Sequence, residues 1–209
     1  VSLRERYYIK QVGYREAMNM VVEYHYLHRK APCSFSFGLF EKETDKMVGV
    51  VCYGTPSSYS LRQGLCGKDE KDNVIELTRL FIFDNTPKNV ESFLIGNTLN
   101  KVDKEIVVSY AEAEQGHIGY VYQATNFIYT GLSAKRGNYT IEGSNLHSQT
   151  IGDKYKTVKE LKRVFGDKFS YQPRPRKHRY IYFNCDKRRK KELLSKLRYK
   201  IEPYPKKPQ

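Results

Sequence analysis

Between residues 74 and 111 the chain reads VIELTRLFIF, DNTPKN, VESFLIGNTLNKVD and KEIVVSYA: an apolar strand, a turn, an amphipathic helix and a second apolar strand. Two strands joined by a crossover helix run parallel, and the crossover is right-handed. A parallel pair also needs apolar cover on both faces. This one unit excludes a helical bundle and an all-antiparallel sandwich.

The flanking segments are arranged around that unit. Residues 14–28 read as an amphipathic helix, with Tyr14, Ala17, Met18, Val21, Val22, His25 and His28 on one face. SFSFGLFEKE and MVGVVCYG, joined by a polar turn, read as an antiparallel hairpin. Residues 55–73 read as a long loop rich in Gly and Ser, the kind more often functional than idle. After the second parallel strand, IGYVYQATNFIYTG reads as one helix closed by Gly131 at its C-cap. YTIEG is a strand, TVKELKRVFG a helix, HRYIYFN a late strand and DKRRKKELLSKLRYK a basic helix. The order predicts an α/β mixed sheet with a central parallel strand pair, helices on both faces and a basic C-terminal helix. Residues 1–209 are expected to form a single domain, with 173–209 supplying the final strand and a basic nucleic-acid-binding segment. The order is similar to that of the GNAT-like acyltransferase fold. That likeness implies that the parallel strands splay apart and admit the acyl donor.

Charge narrows the partners. The net charge is +14, and residues 173–209 hold 14 Lys/Arg against three acids. A segment so basic binds phosphate backbone by releasing counterions. Arg174, Arg176, Lys177, Arg179, Lys187, Arg188, Arg189, Lys190 and Lys191 are the candidate nucleic-acid contacts. No apolar run is long enough to span a membrane, and VSLRERYYIKQ is charged and lacks the apolar stretch of a signal peptide. The expected setting is therefore the cytoplasm, without membrane attachment. Cys33, Cys52, Cys66 and Cys185 lie far apart with no CxxC pair, which reads as reduced thiols. His25 and His28 lack a third ligand, so no metal site is assigned. Asn138-Tyr-Thr matches the N-glycosylation pattern, which a cytoplasmic chain never presents to that machinery.

Several segments together resemble the Mom family of phage DNA-modification proteins. They are YHYLHRKAPCSFSFGLF with VGVVCYGTP, then ELTRLFI, SYAEAEQGHIGYVYQATNFIYTG, KHRYIYF and a YPK ending. The resemblance implies a phage-encoded, GNAT-like transferase. It would place a carbamoylmethyl group on the exocyclic amine of adenine in DNA, shielding that DNA from host restriction. Ordinary GNAT enzymes cradle the pyrophosphate of acetyl-CoA in a Gly-rich turn, whereas here that turn reads DNTPKNVES with no glycine. Side chains there obstruct close approach of phosphate. Asn85 and Ser92 remain the candidates for donor contact at this turn. The donor stays open between acetyl-CoA and glycyl-tRNA. Glycyl has the atoms of a carbamoylmethyl group, and tRNA would be a second polyanionic partner beside DNA.

Within that reading His25 is a pocket residue and a general base for the adenine amine. Arg79 interrupts an apolar strand, which marks a sheet edge, a buried ion pair or an anion site. Simple alternation sets Glu76, Thr78 and Leu80 on one face and Leu77, Arg79 and Phe81 on the other. Ser109 and Glu112 end the second parallel strand, where ligands gather in such sheets. Ser109 would hold a donor carbonyl, and Glu112 would act as base or orient the amine. Gln115 and His117 follow in the connecting loop. Tyr122, Asn126 and Tyr129 fall on one face of the next helix. The resemblance implies that Tyr122 protonates the leaving group, with Asn126 and Tyr129 contacting the donor. Two rivals stand beside this reading: a CoA-dependent N-acyltransferase acting on a non-DNA substrate, and a non-catalytic DNA-binding or anti-restriction protein on the same scaffold.

Overall fold

The computed structural model describes residues 2–113, 116–146, 148–155 and 157–206. A capped turn of helix, α1 (Leu3–Arg6), leads into β1 (Tyr7–Gln11), and α2 (Tyr14–Tyr24) follows. β2 (Phe35–Glu41) and β3 (Met47–Gly54) form the expected antiparallel hairpin. β4 (Val74–Ile82), α4 (Val90–Gly96) and β5 (Ile106–Glu112) form the crossover, and β4 pairs β5 in parallel. With β6 (Ile128–Leu132) and β9 (Lys177–Phe183), the sheet has the order β1-β2-β3-β4-β5-β9-β6. All its other pairings are antiparallel. The chain thus forms the mixed α/β sheet that its sequence predicts.

Helices cover both faces of this sheet. On one side α4 and α5 (Tyr120–Ala124) bury Val90, Leu94, Ile95 and Tyr122 against Phe37, Tyr53, Leu77 and Val107. On the other side α2 packs on Phe40, Val50 and Cys52. Beside it α3 (Tyr59–Cys66) and α8 (Lys187–Lys196) cover Val74, Ile106, Val108 and Ile181. Between β6 and β9 the chain leaves the sheet. It forms β7 (Gly137–Ile141), α6 (Ser148–Tyr155), α7 (Val158–Phe165) and β8 (Phe169–Pro173). β7 and β8 make a separate two-stranded ribbon over their own apolar cluster of Ile141, Ile151, Leu161 and Phe169.

Four expectations are corrected. The first helix stops at Tyr24, so His25 is its C-cap in extended backbone and His28 has φ +42°. Residues 55–73 are not a free loop. Ser58 caps α3 by accepting the Leu61 N–H, a 3-10 segment spans Lys68–Asn73, and Leu65 and Cys66 are buried. The helix expected through Gly131 ends at Ala124, because Asn126 turns to φ +62° and the β-favouring run FIYT enters the sheet as β6. Gly131 has φ +80° beside the Glu202 carboxylate, which a Cβ would meet at 2.8 Å; it is a strand residue and not a helix cap. Tyr122, Asn126 and Tyr129 therefore share no helical face.

The fourth correction concerns Arg79. Cys52 pairs with Arg79 but Tyr53 pairs with Leu77, so Thr78 is an extra, bulged residue. A bulge resets the alternation of a strand. Ile75, Leu77, Leu80 and Ile82 pack toward the α4 side, while Val74 and Phe81 pack toward the other. Arg79 consequently joins Glu76 on one face instead of opposing it.

Candidate functional site

The parallel pairing of β4 and β5 ends after three residue pairs, at Glu76 and Val108. Beyond that point β4 stays with β3 and β5 stays with β9 down to Glu112–Lys177. The strands part, and an opening of about 640 Å³ lies at their C-terminal ends, where ligands collect in open sheets. Its walls come from the segment after α2, the bulged stretch of β4, the first turn of α4, the end of β5 and the start of α5.

Of the candidate catalytic residues, this cavity brings together His25, Arg79, Glu112, His117 and Tyr122. His25 is buried, and its Nδ1 accepts the Leu27 N–H at 3.1 Å. That bond leaves the proton of a neutral ring on Nε2. Burial, with the Arg79 and His28 charges adding to it, pushes the ring down to about 4. At neutral pH His25 is accordingly uncharged and carries an N–H donor. Arg79 donates from Nη1 to the Thr78 carbonyl at 2.6 Å, and from Nε and Nη2 to the Arg29 carbonyl at 3.4 Å. No carboxylate forms a salt bridge with it among the described residues. Its charge is free to meet an anion. Tyr122 is buried, and burial raises its phenol to about 12, so it stands as a proton donor. Glu112 pairs with Lys177 at 3.0 Å. Lys177, expected on the nucleic-acid face, lies in the cavity wall instead.

The remaining candidates are distributed elsewhere. Ser109 is fully buried and donates to the Leu77 carbonyl at 3.3 Å, tying the strands together where they begin to part. Ser92 lines the cavity, its hydroxyl donating to the Asn89 carbonyl at 3.0 Å. Asn85 lies outside the lining, and Asn126 borders a neighbouring depression together with Ser92. Tyr129 is buried in β6, its hydroxyl 2.8 Å from His178 Nδ1. Gln115 falls outside the described residues. Among the described residues no group of three or more His, Cys, Asp or Glu could hold a metal ion.

Glu76 is the residue that strand alternation underrated. It lines the cavity on the same face as Arg79, and no side chain hydrogen-bonds its carboxylate among the described residues. Burial pushes its carboxyl above the ordinary range, with Lys177 and Arg79 pulling the other way. The signal was present as a lone acid in an apolar strand, two residues before the bulge. Tyr26, Tyr110 and Tyr120 also line the space, which gives a planar base aromatic faces to stack on.

The turn before α4 does not fit a CoA pyrophosphate. It has one left-handed residue, Asn89 at φ +70°, a helix of only seven residues, and the Glu91 carboxylate in the cavity wall. An acid at that position repels phosphate.

On the basic face, only some cations are free. Arg179 is buried, bonded to Thr130 and stacked 3.5 Å over the Tyr199 ring. Arg189 bonds Glu70, Glu105 and Glu192. Arg176 donates to the backbone of Ser133 and Leu132, and Arg174 to Asn138. Lys187, Arg188, Lys190 and Lys191 are exposed. Among the described residues no helix is long and apolar enough to cross a membrane.

A model of the Mom protein family matches residues 6–206. The methylcarbamoylase mom of Escherichia phage Mu is 30% identical over 174 residues, which are 77% of this chain and 68% of that protein. Among solved structures, Arabidopsis thaliana NAA60 in complex with acetyl-CoA matches with a TM-score of 0.50 at 8% identity, over 85% of this chain and 98% of that one. The ribosomal-protein-S5-alanine acetyltransferase of Vibrio fischeri matches at 0.48 and 10%, over 87% and 94%. At 8% identity the likeness to the Arabidopsis protein is one of fold.

Proposed function

The chain belongs to the Mom protein family, it is a transferase, and from that premise we propose that it carbamoylmethylates the exocyclic amine of adenine in DNA. The observation that carries the reading is the cavity where β4 and β5 part: Glu76, Arg79 and a neutral His25 sit beside tyrosine faces in a space large enough to admit a base. Adenine hides its amine within the duplex, so the acceptor is a flipped or unpaired base.

The atoms favour a glycyl donor. An acetyl group lacks the nitrogen of carbamoylmethyl, whereas glycyl has the same atoms arranged differently. The turn before α4 also argues against acetyl-CoA. In the proposed sequence the adenine amine attacks the ester carbonyl of glycyl-tRNA. Glu76 takes the amine proton, since a carboxylate of raised pKa is the better base. The Arg79 guanidinium and the His25 Nε2–H meet the developing oxyanion. Tyr122 gives its proton to the departing ribose hydroxyl and regains one from Glu76. The product is an N-glycyl adenine. Its free amine then adds to the ring carbon C6, closing a spiro ring, and the bond from C6 to the original exocyclic nitrogen breaks. The proton lost by the attacking amine goes to the departing amide nitrogen, with Glu112 as carrier. The result is an isomer of the first product: the carbamoylmethyl amine.

Nucleoside mass spectrometry of DNA from cells expressing the protein tests the reading. An adenine heavier by one carbamoylmethyl group is expected, with label from isotopic glycine appearing in it. Unmodified adenine beside folded protein overturns the reading in favour of a non-catalytic scaffold. Modified adenine without glycine label overturns the donor alone.

A further inference from the structure

The ribbon between β6 and β9 takes no part in the cavity, and its two faces are unlike. Register pairs Asn138 with Gln172 and Thr140 with Ser170 on one face, and Tyr139 with Tyr171 and Ile141 with Phe169 on the other. On the aromatic face Ile141, Phe169 and Tyr139 pack on α6 and α7, while Tyr171 is exposed and lies so close to Gly137 that a Cβ there would meet its ring at 2.0 Å. Thr140, Ser170 and Gln172 are exposed on the opposite face, and neither strand contains an acid. At the stem end, Arg174 donates to Asn138 Oδ1 at 2.6 Å, and its backbone N–H bonds the Arg136 carbonyl. Both arginines are exposed.

Charge and position single out this element. Residues 133–176 hold ten Lys/Arg and four Asp/Glu, whereas residues 1–132 hold 15 and 16. The scaffold up to β6 is neutral, and the charge begins where the ribbon's stem begins. That stem is fixed to the rim of the cavity. Ser133 exchanges bonds with the Lys177 backbone, and the Ala113 N–H, next to Glu112, bonds the Arg176 carbonyl.

We propose that the polar face of the β7–β8 ribbon, with Asn138, Thr140, Ser170 and Gln172, enters the major groove of duplex DNA beside the cavity and selects the sequence around the acceptor base. This rests on DNA being the acceptor. The B-DNA major groove admits a two-stranded ribbon, and amide and hydroxyl side chains read its base edges. The major groove of an RNA helix is too deep and narrow for that contact. Arg136 and Arg174 supply phosphate contacts that set register without reading sequence.

The test selects bound sequences from a randomised pool of short DNA duplexes, using the full chain, and maps modified adenines by context in cells. Wild type is expected to enrich particular bases. Asn138→Ala with Gln172→Ala should keep the salt slope and lose about 5- to 100-fold of preference at one or two positions. Arg136→Ala with Arg174→Ala should weaken binding to all sequences alike and flatten the salt slope by up to about two. If the first pair fails to fold by circular dichroism, Thr140→Val with Ser170→Val removes two hydroxyls and keeps strand propensity. A flat wild-type pool, a preference the ribbon variants leave unchanged, or variants that lose RNA binding instead of DNA preference each overturn the proposal. Sequence selection without any adenine modification would overturn the proposed chemistry and leave the ribbon standing; context-free modification with a flat pool would do the reverse.

Discussion

Two glutamates only six residues apart, Glu70 and Glu76, have opposite environments. Glu70 is buried beneath α8, where burial alone would raise its carboxyl. Bonds from Arg189, Lys196 and Asn73 win and hold it at about 2. Glu76 faces the cavity with burial unopposed by any hydrogen bond among the described residues, and its carboxyl is raised. The first is a fastener for the basic helix, and the second is held ready for a proton. Residue type decides neither role; the partners that the fold brings within reach decide both.

The largest effect that would break this contrast is catalytic. Glu76→Gln should cost 10²–10⁴-fold in adenine modification, the usual worth of a general base, measured by nucleoside mass spectrometry. Its melting temperature should hold or rise. A carboxyl raised in the fold stabilises only below its unfolded pKa and costs stability once ionised, so neutral Gln removes a cost at pH 7. A retained activity would take Glu76 out of the site.

Glu70→Gln should behave in the opposite way. It takes one carboxylate from each of Arg189 and Lys196 and should cost about 1.5–3 kcal/mol, a fall of roughly 3–12 °C in melting temperature for a chain of this size. Acid titration sharpens the point. A depressed carboxyl gives stability that is present above its unfolded pKa and lost as pH falls toward about 2, so the gap between wild type and Glu70→Gln should close below pH 4. An unchanged gap at pH 3 would show that packing, not charge, carries Glu70.

The same fastening divides the cations of α8. Replacing exposed Lys187, Arg188, Lys190 and Lys191 with alanine should lower duplex affinity about tenfold at moderate salt and flatten its salt slope, with melting unchanged. Arg189→Ala should instead lower the melting temperature, because Arg189 joins three carboxylates. Equal effects on binding would erase the division.

The smallest expected effect is in the pH profile. With His25 near 4, no acid limb at the ordinary histidine pKa of about 6.5 should belong to His25; the acid limb should follow the raised Glu76 carboxyl and survive in His25→Asn. An acid limb at 6.5 that disappears in His25→Asn would place a protonatable His25 in the mechanism.

Much of the fold was legible because long periodic segments report their own structure. The crossover unit, the hairpin, β9 and α8 all lie where apolar period and caps put them. Short elements were not legible. α3 has eight residues with Gly64 inside it and Gly67 at its C-cap, and its burial comes from α8, more than 100 residues away. The break at Asn126 was hidden because YVYQATNFIYTG satisfies a helical period as well as a strand. Arg79 and Glu112 could be singled out as charges at strand ends or within apolar runs. Glu76 was misplaced for one reason, the Thr78 bulge, which no local pattern announces.

The sequence by itself determined the parallel pair, the helices on both faces, the basic C-terminal helix and the likeness to a family, since each follows from local period, charge and motif. Only the tertiary structure decided which charges meet. A bulge of one residue turned Arg79 onto the Glu76 face, a backbone amide fixed the His25 proton on Nε2, and three acids withdrew Arg189 from the surface. Pairing and burial are properties of distance in space, and they set the free energy of each charge far more strongly than its neighbours along the chain.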